Sequence, residues 1–448
     1  MPRAPGAAQA LPLGTERDPP WDLLLISLAA YVLTAVGRIH QLFGFLMPLH
    51  LVLLSSGLAI CCYVATGQRA RRLAPVLRDP TSRCVLGLAL WMAFSIPGAL
   101  WPGGAFEEFT GEFGKMVGMY VVLVAAIRGF KDVERIAFVY LLAVAIYAAV
   151  VLSRFGVGQS EWRLGMLEYY DANDFATLAV VALPLAVYFM VRPRPLWRRL
   201  VSALALVFLV MAFVWAGSRG GFLALLAVGA FLLLRYRAIG VRWRVLTAAL
   251  LTLVFAAAAS DTYWEKMKTI LQPKDDYNIT TEEGRIPVWK CGIGYMLENP
   301  ILGVGAGNFP TAEGTISPRA RVAYTGRWKW SVSHNSYIQV GAELGIPGLL
   351  LFLAMFWKAF ASLRTVERGQ PRSPPAQLAQ TLAACLIGYI VGGFFLSLAY
   401  RDLLYVLIAL TAGLRKGLPL VAASPRPARS VVTSSYARPN FSPMRSHP

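Results

Sequence analysis

Two side chains in this 448-residue sequence are of types, and in places, that could do chemistry. The first is His334, in Trp330-Ser331-Val332-Ser333-His334-Asn335-Ser336-Tyr337, which closes a long polar stretch (roughly Asp261 to Asn335) and leads into a hydrophobic helix. Ser333 reads as the N-cap of that helix, which puts His334 in its first turn. The positive end of a helix dipole disfavours imidazolium, so a histidine there tends to stay neutral near pH 7, the form a general base needs. A histidine that only caps or hydrogen-bonds at a helix start would occupy the same place. The second is Arg219, in Gly217-Ser218-Arg219-Gly220-Gly221. Behind a Ser218 cap and before two glycines that permit close approach, free amides, a positive dipole and a guanidinium converge, which suits phosphate. The alternative is a plain tight turn between two helices.

The setting for both is a membrane. Hydrophobic residues make up 56% of the chain and charged residues 15%, with a mean hydropathy of +0.54, the composition of a polytopic membrane protein. Residues Met1 to Pro20 are rich in Pro and Ala without an apolar core, so no cleavable signal peptide is expected before the first span. Lys and Arg outnumber Asp and Glu by 43 to 24. In a soluble protein that excess would suggest nucleic acid; here the basic residues punctuate apolar runs, and topology accounts for them. The five cysteines offer neither a disulfide framework nor metal-ligand spacing.

The apolar runs number about twelve. They fall near 21–36, 42–65, 84–100, 116–127, 136–152, 175–191, 200–216, 222–234, 245–260, 338–360, 381–398 and 403–414. Every second connection is basic, as with Arg69, Arg71, Arg72, Arg78 and Arg83, then Arg128, Lys131 and Arg135, then Arg192, Arg194, Arg198 and Arg199. Basic connections read as cytoplasmic, which puts both termini inside. The expected fold is an all-α polytopic membrane protein of about twelve transmembrane helices, with one large periplasmic loop between spans nine and ten. In order, these are a disordered cytoplasmic tail 1–20, spans one to nine in 21–260, the loop 261–335 with the catalytic residues, spans ten to twelve in 336–414, and a second disordered cytoplasmic tail 415–448. Arg154, Arg163, Arg219, Arg285, His334 and Arg401 then fall at the outer face, where arginines run against the orienting bias and call for a reason. An interfacial snorkel would serve for Arg154 and Arg401.

Inside the loop, Arg285 to Asn299 carries Ile286, Trp289, Ile293 and Met296 at helical spacing and is stopped by Asn299-Pro300. An amphipathic helix lying on the membrane face is expected there. Gly303-Val304-Gly305-Ala306-Gly307-Asn308-Phe309 reads as a flexible connector and not a P-loop, since no Gly-Lys-Ser/Thr follows and no strand precedes it. Arg319, Arg321, Arg327 and Lys329 alternate with Tyr324, Trp328 and Trp330, a mixture suited to sugar contact or to the membrane interface. Asp275-Asp276 and Glu282-Glu283 are adjacent pairs on a polar loop, read as solvated rather than metal-binding.

Taken in order, these motifs resemble the O-antigen ligase and polymerase superfamily of bacterial cell-envelope glycosyltransferases. The resemblance is carried by Gly217-Ser218-Arg219-Gly220-Gly221-Phe222-Leu223, by Gly284-Arg285 followed by Trp289, and by Asn299-Pro300-Ile301-Leu302 running into the glycine-rich stretch. His334-Asn335-Ser336-Tyr337 with Glu343-Leu344-Gly345-Ile346-Pro347-Gly348-Leu349 completes it, across roughly Gly217 to Phe360. Upstream, Asp171-Ala172-Asn173-Asp174-Phe175 resembles a loop of the family, and the rest of the first half matches in hydropathy alone.

What the resemblance implies is a bacterial inner-membrane glycosyltransferase that takes a glycan from undecaprenyl diphosphate at the periplasmic face and passes it to an acceptor hydroxyl, with no metal or other cofactor. His334 would be the base on the acceptor, and Arg219 and Arg285 would hold the departing diphosphate. Asn335, Tyr337, Arg163, Asn173, Arg401 and Arg327 would complete substrate binding. The implied partners are the lipid-linked donor, a lipid or glycan acceptor and the bilayer, with no nucleic acid. Lipid A core as acceptor would make the protein a ligase of lipopolysaccharide biosynthesis, a growing glycan a polymerase, and a protein hydroxyl an O-glycosylation ligase; ligase is the favoured reading. A transporter of lipid-linked sugars would instead bury charges at mid-membrane and show similarity between its halves. A membrane cysteine peptidase would need an outer-face cysteine near His and Arg. Neither pattern is present: Cys61 and Cys62 fall towards the inner face, and Cys291 lies on the amphipathic segment.

Overall fold

The computed structural model describes residues 20–67, 69–154, 170–192, 195–237, 239–272, 281, 284–318, 320, 330–369 and 371–417. Arg163, Arg327, the pairs 275–276 and 282–283 and nearly all of both tails lie outside the described residues. Among the described residues there are helices and turns but no strand. The chain begins with α1 (Leu23–Ala35), α2 (Gly44–Ala65), α3 (Arg69–Arg78) and α4 (Pro80–Ser95). Next come α5 (Pro102–Ala126), α6 (Phe130–Arg154), α7 (Ala172–Val191), α8 (Leu196–Ala216), α9 (Arg219–Arg235) and α10 (Val241–Ala258). Three shorter helices follow, α11 (Asp261–Lys268), α12 (Arg285–Glu298) and α13 (Phe309–Thr315). The chain closes with α14 (Ser336–Gly369), α15 (Pro374–Gly393) and α16 (Asp402–Lys416).

Seven of these, α2, α5, α6, α7, α8, α14 and α15, are long and apolar enough to cross a membrane. The remaining apolar runs form the shorter helices α1, α4, α9, α10 and α16. The shortest, α1, has 13 residues; at 1.5 Å per residue that is about 20 Å, less than a hydrocarbon core of about 30 Å. Helices α7 and α15 form the centre, with 78% of their apolar windows buried against 6% for α2. On α2, Leu53, Leu54 and Leu58 point outward, a face that suits lipid. Helix α7 packs on α8, α9 and α15, and α14 packs on α4, α12 and α15.

Two connections differ from expectation. The basic segment after α2 coils as α3, and the acidic stretch Glu107–Glu112 belongs to α5, where Glu108–Phe113 is a π-helical turn. Such turns widen a helix by one residue and are often found at functional sites.

The glycine-rich stretch is a docked element, contrary to its reading as a flexible connector. Helix α14 is broken at Gly345, where φ is 68° and ψ −172°. The stretch fills that break: Val304 N–H donates to the Ala342 carbonyl at 2.8 Å, Gly305 N–H to the Glu343 carbonyl at 2.9 Å, and Ile346 N–H to the Pro300 carbonyl at 2.8 Å. The Glu343 carboxylate, buried beneath it, accepts from Phe309 N–H at 3.3 Å. Gly303, Gly305 and Gly307 all have positive φ, which glycine adopts without steric cost. A β-carbon at Gly345 would stand 2.4 Å from the Ile301 carbonyl oxygen, in a left-handed conformation besides. Gly345→Ala is therefore expected to cost about 3 kcal/mol, seen as a lower melting midpoint of the detergent-solubilised protein. Gly118→Ala, with nothing within 4 Å of the added carbon, should leave the midpoint unchanged; equal midpoints for the two would refute the docking.

Candidate functional site

Several helix starts meet at one end of the bundle. Ser218 caps α9 as its hydroxyl accepts from Gly221 N–H at 3.2 Å, which leaves Arg219 as the first helical residue. A β-carbon on Gly221 would stand 2.9 Å from Ala176 Cβ, and one on Gly220 2.9 Å from Phe395. Glycine thus lets the start of α9 touch the first turn of α7 and the connector 394–401 between α15 and α16. Helix α7 is capped by Asp171, whose Oδ1 accepts from Asn173 and Asp174 N–H at 2.6 and 2.7 Å. Helix α12 reaches the same place through Trp289, which meets the Phe394 ring edge-on at 5.5 Å and donates from Nε1 to the Ser333 carbonyl at 2.9 Å.

The start of α14 corrects the expected cap. Asn335, not Ser333, is the N-cap: its Oδ1 accepts from Tyr337 and Ile338 N–H at 2.9 and 3.0 Å. Ser333 is taken up elsewhere, its hydroxyl lying 2.9 Å from Ser397 Oγ and donating to the Asn335 carbonyl at 3.0 Å. His334 consequently lies one residue before the cap and not in the first helical turn. It is half-buried, its φ is 48°, and its N–H donates to Ser397 Oγ at 2.9 Å.

The arginines approach from three elements. Arg219 is half-buried and donates from Nη1 to Thr269 Oγ1 at 2.8 Å, just past α11. Arg285, the first residue of α12, and Arg401, at the end of the connector, both act electrostatically on the Asp174 carboxylate. Arg401 is exposed and also faces Glu108 of α5 and Asp402 of α16. Asn173 stands beside Asp174, half-buried in the first turn of α7. The sequence reading missed Asp174 and Glu108. An acid in a first helical turn is ordinary, and nothing local reveals that distant arginines will face it.

Two expected binding residues are used differently. The Tyr337 hydroxyl donates to the Ile390 carbonyl at 2.8 Å, so the backbone of α15 engages it and its ring lines a groove. The buried Asn335 spends its oxygen on the cap, and its Nδ2 has no partner among the described residues. The groove, about 490 Å³, is apolar and runs between α9 (Leu223), α14 (Tyr337, Leu353, Phe356), α15 (Ile390) and the start of the connector (Phe394).

Behind Arg401 a buried network braces α16. Tyr31 donates to Asp402 Oδ1 at 2.6 Å, and Arg38, left-handed at φ 49°, faces Asp402 and Tyr170. Burial pushes the Tyr170 phenol up, with Arg38 pulling against it. Burial, then the Arg38 charge, lowers the His40 imidazole below its ordinary value. At the opposite end of the bundle, Asp132 and Glu134 are buried beside Arg128 and Arg192, at 2.7 and 3.4 Å, as structural ion pairs. Arg154 donates to the Leu42 carbonyl and stacks over Phe43, which accounts for it without a ligand.

Fold and site together define a helical membrane protein with seven candidate spans, in which the starts of α7, α9 and α14 meet the connector 394–401 beside an apolar groove. A family model described as O-antigen ligase matches residues 204–353, from within α8 to beyond the break in α14. The match includes Arg219, Arg285, the glycine-rich stretch and His334, and over these residues the chain is similar to the O-antigen ligase family. No curated protein matches the chain.

Proposed function

We propose that this protein is an inner-membrane glycosyltransferase of the O-antigen ligase type, moving a glycan from undecaprenyl diphosphate to an acceptor hydroxyl at the periplasmic face. The observation that carries the reading is that Arg219 and Arg285 open helices, Arg285 and Arg401 both act on Asp174, and His334 is bonded to the connector that carries Arg401. The acceptor oxygen attacks the anomeric carbon, and His334 takes the hydroxyl proton as the new C–O bond forms. The bond from that carbon to the diphosphate oxygen breaks, and the diphosphate leaves with the electron pair. Arg219 and Arg285 take up the developing charge, supported by amides at the helix starts. Arg401 and Asn173 line the sugar side, and the groove at Leu223 and Phe394 receives the first isoprene units of the donor, whose diphosphate sits where the groove begins. The charge compensation comes from guanidinium groups, with no metal in the reaction. In this reading all twelve apolar helices lie in the bilayer, both termini are cytoplasmic, α11 to α13 belong to the periplasmic loop, and the acceptor is lipid A core.

Sealed right-side-out membrane vesicles loaded with lipid-linked glycan test both the reaction and the face. A membrane-impermeant core-oligosaccharide acceptor added outside should become glycosylated. Transfer only in inside-out vesicles would reverse the orientation, and no transfer in either would remove the ligase reading. Lengthening of the donor glycan itself would make the protein a polymerase.

A further inference from the structure

We propose that Ser397 is a positioning residue for the reaction, holding His334 in the backbone conformation that aims its imidazole at the acceptor. The inference rests on the reading of His334 as the base. A positive φ is unfavourable for any residue with a β-carbon, so His334 at 48° persists only because its surroundings hold it. Two serines take part in that hold. His334 N–H donates to Ser397 Oγ at 2.9 Å, and Ser397 and Ser333 Oγ lie 2.9 Å apart. Since Ser333 donates its own hydrogen to the Asn335 carbonyl at 3.0 Å, the hydrogen between the two serines is that of Ser397. With that hydrogen on the Asn335 carbonyl, the donors run from His334 N–H to Ser397, from Ser397 to Ser333 and from Ser333 to Asn335.

The connector that carries Ser397 is itself anchored. Ser336 donates to the Leu396 carbonyl at 2.7 Å and accepts from Leu398 N–H at 3.0 Å, so Ser397 is held from both sides against the start of α14. The same connector bears Phe394 on the groove and Arg401 on the carboxylates of Asp174 and Glu108. A single hydroxyl therefore ties the histidine to the segment that also meets the donor's lipid and sugar sides.

The test compares Ser397→Ala, Ser397→Cys and Ser397→Thr in the vesicle assay, alone and with His334→Asn. Thr keeps the acceptor oxygen, Cys offers a weak one and Ala none. Ser397→Ala is expected to lower kcat ten- to hundredfold with the KM for donor unchanged, Cys to fall between, and Thr to stay within about threefold of wild type. In the His334→Asn background Ser397→Ala should change nothing further, because a positioning residue has nothing left to position. A normal rate for Ser397→Ala, or losses that multiply in the double variant, would overturn the proposal; if the alanine variant does not fold, the cysteine variant and its double with His334→Asn read the same cycle. Normal transfer by His334→Asn alone would instead remove the base, and with it the premise.

Discussion

His334→Asn is expected to lose glycan transfer by about a hundredfold or more while lipid-linked donor still binds. The choice of asparagine follows from the backbone. At φ 48°, alanine would add a local strain of about 1 kcal/mol, and its effect would mix lost chemistry with a shifted α14 start. Asparagine tolerates the left-handed region and stays polar, but has no basic nitrogen to take the acceptor's proton. Single-turnover transfer with radiolabelled donor separates the steps: binding amplitude should be unchanged and the transfer phase slowed. A rate within a few-fold of wild type would mean that His334 serves only the hydrogen-bonded join between α14 and the connector.

Arg219→Lys and Arg285→Lys should each be nearly as damaging as the corresponding alanine variants. Two phosphates departing together need paired donors, which a planar guanidinium supplies and a compact ammonium does not. Arg219 already commits Nη1 to Thr269 at 2.8 Å, which orients the guanidinium plane; lysine could not keep that contact and serve a phosphate with the same geometry. Each loss should cost about 2–4 kcal/mol of transition-state stabilisation, roughly thirty- to nine-hundredfold in rate. Transfer should also survive excess EDTA. Activity abolished by EDTA and restored by magnesium, with both lysine variants functional, would replace the arginine clamp by a metal.

Much of this protein is written locally. The apolar runs give the helices because a span is a property of some twenty consecutive residues. Ser218 before Arg219, and Gly284-Arg285 ahead of an apolar pattern ending at Asn299-Pro300, mark helix starts that depend on a few neighbouring residues, and both formed where expected. The burial pattern of α12 was not legible in the same way. Its periodicity suggested a face of Ile286, Trp289, Ile293 and Met296, yet Val288, Gly292 and Tyr295 are buried, because α13 and α14 arrive on that side and Ile293 remains exposed.

What only the tertiary structure decided are the contacts between segments far apart in the chain. Ser333 had the right residue type and place for a cap, but Ser397 captured its hydroxyl and Asn335 took the role. The glycine-rich stretch looked free because the break in α14 that it fills carries no local signal beyond one glycine. Asp174 gained Arg285 and Arg401 as neighbours only when α12 and the connector closed over the start of α7. The sequence by itself determined which segments are helical and where several of them begin, since hydropathy and capping act within a turn or two. Which helix starts face one another, and so which arginines act on Asp174 and which serine holds His334, followed from packing around α7 and α15, because those contacts join residues that no local pattern relates.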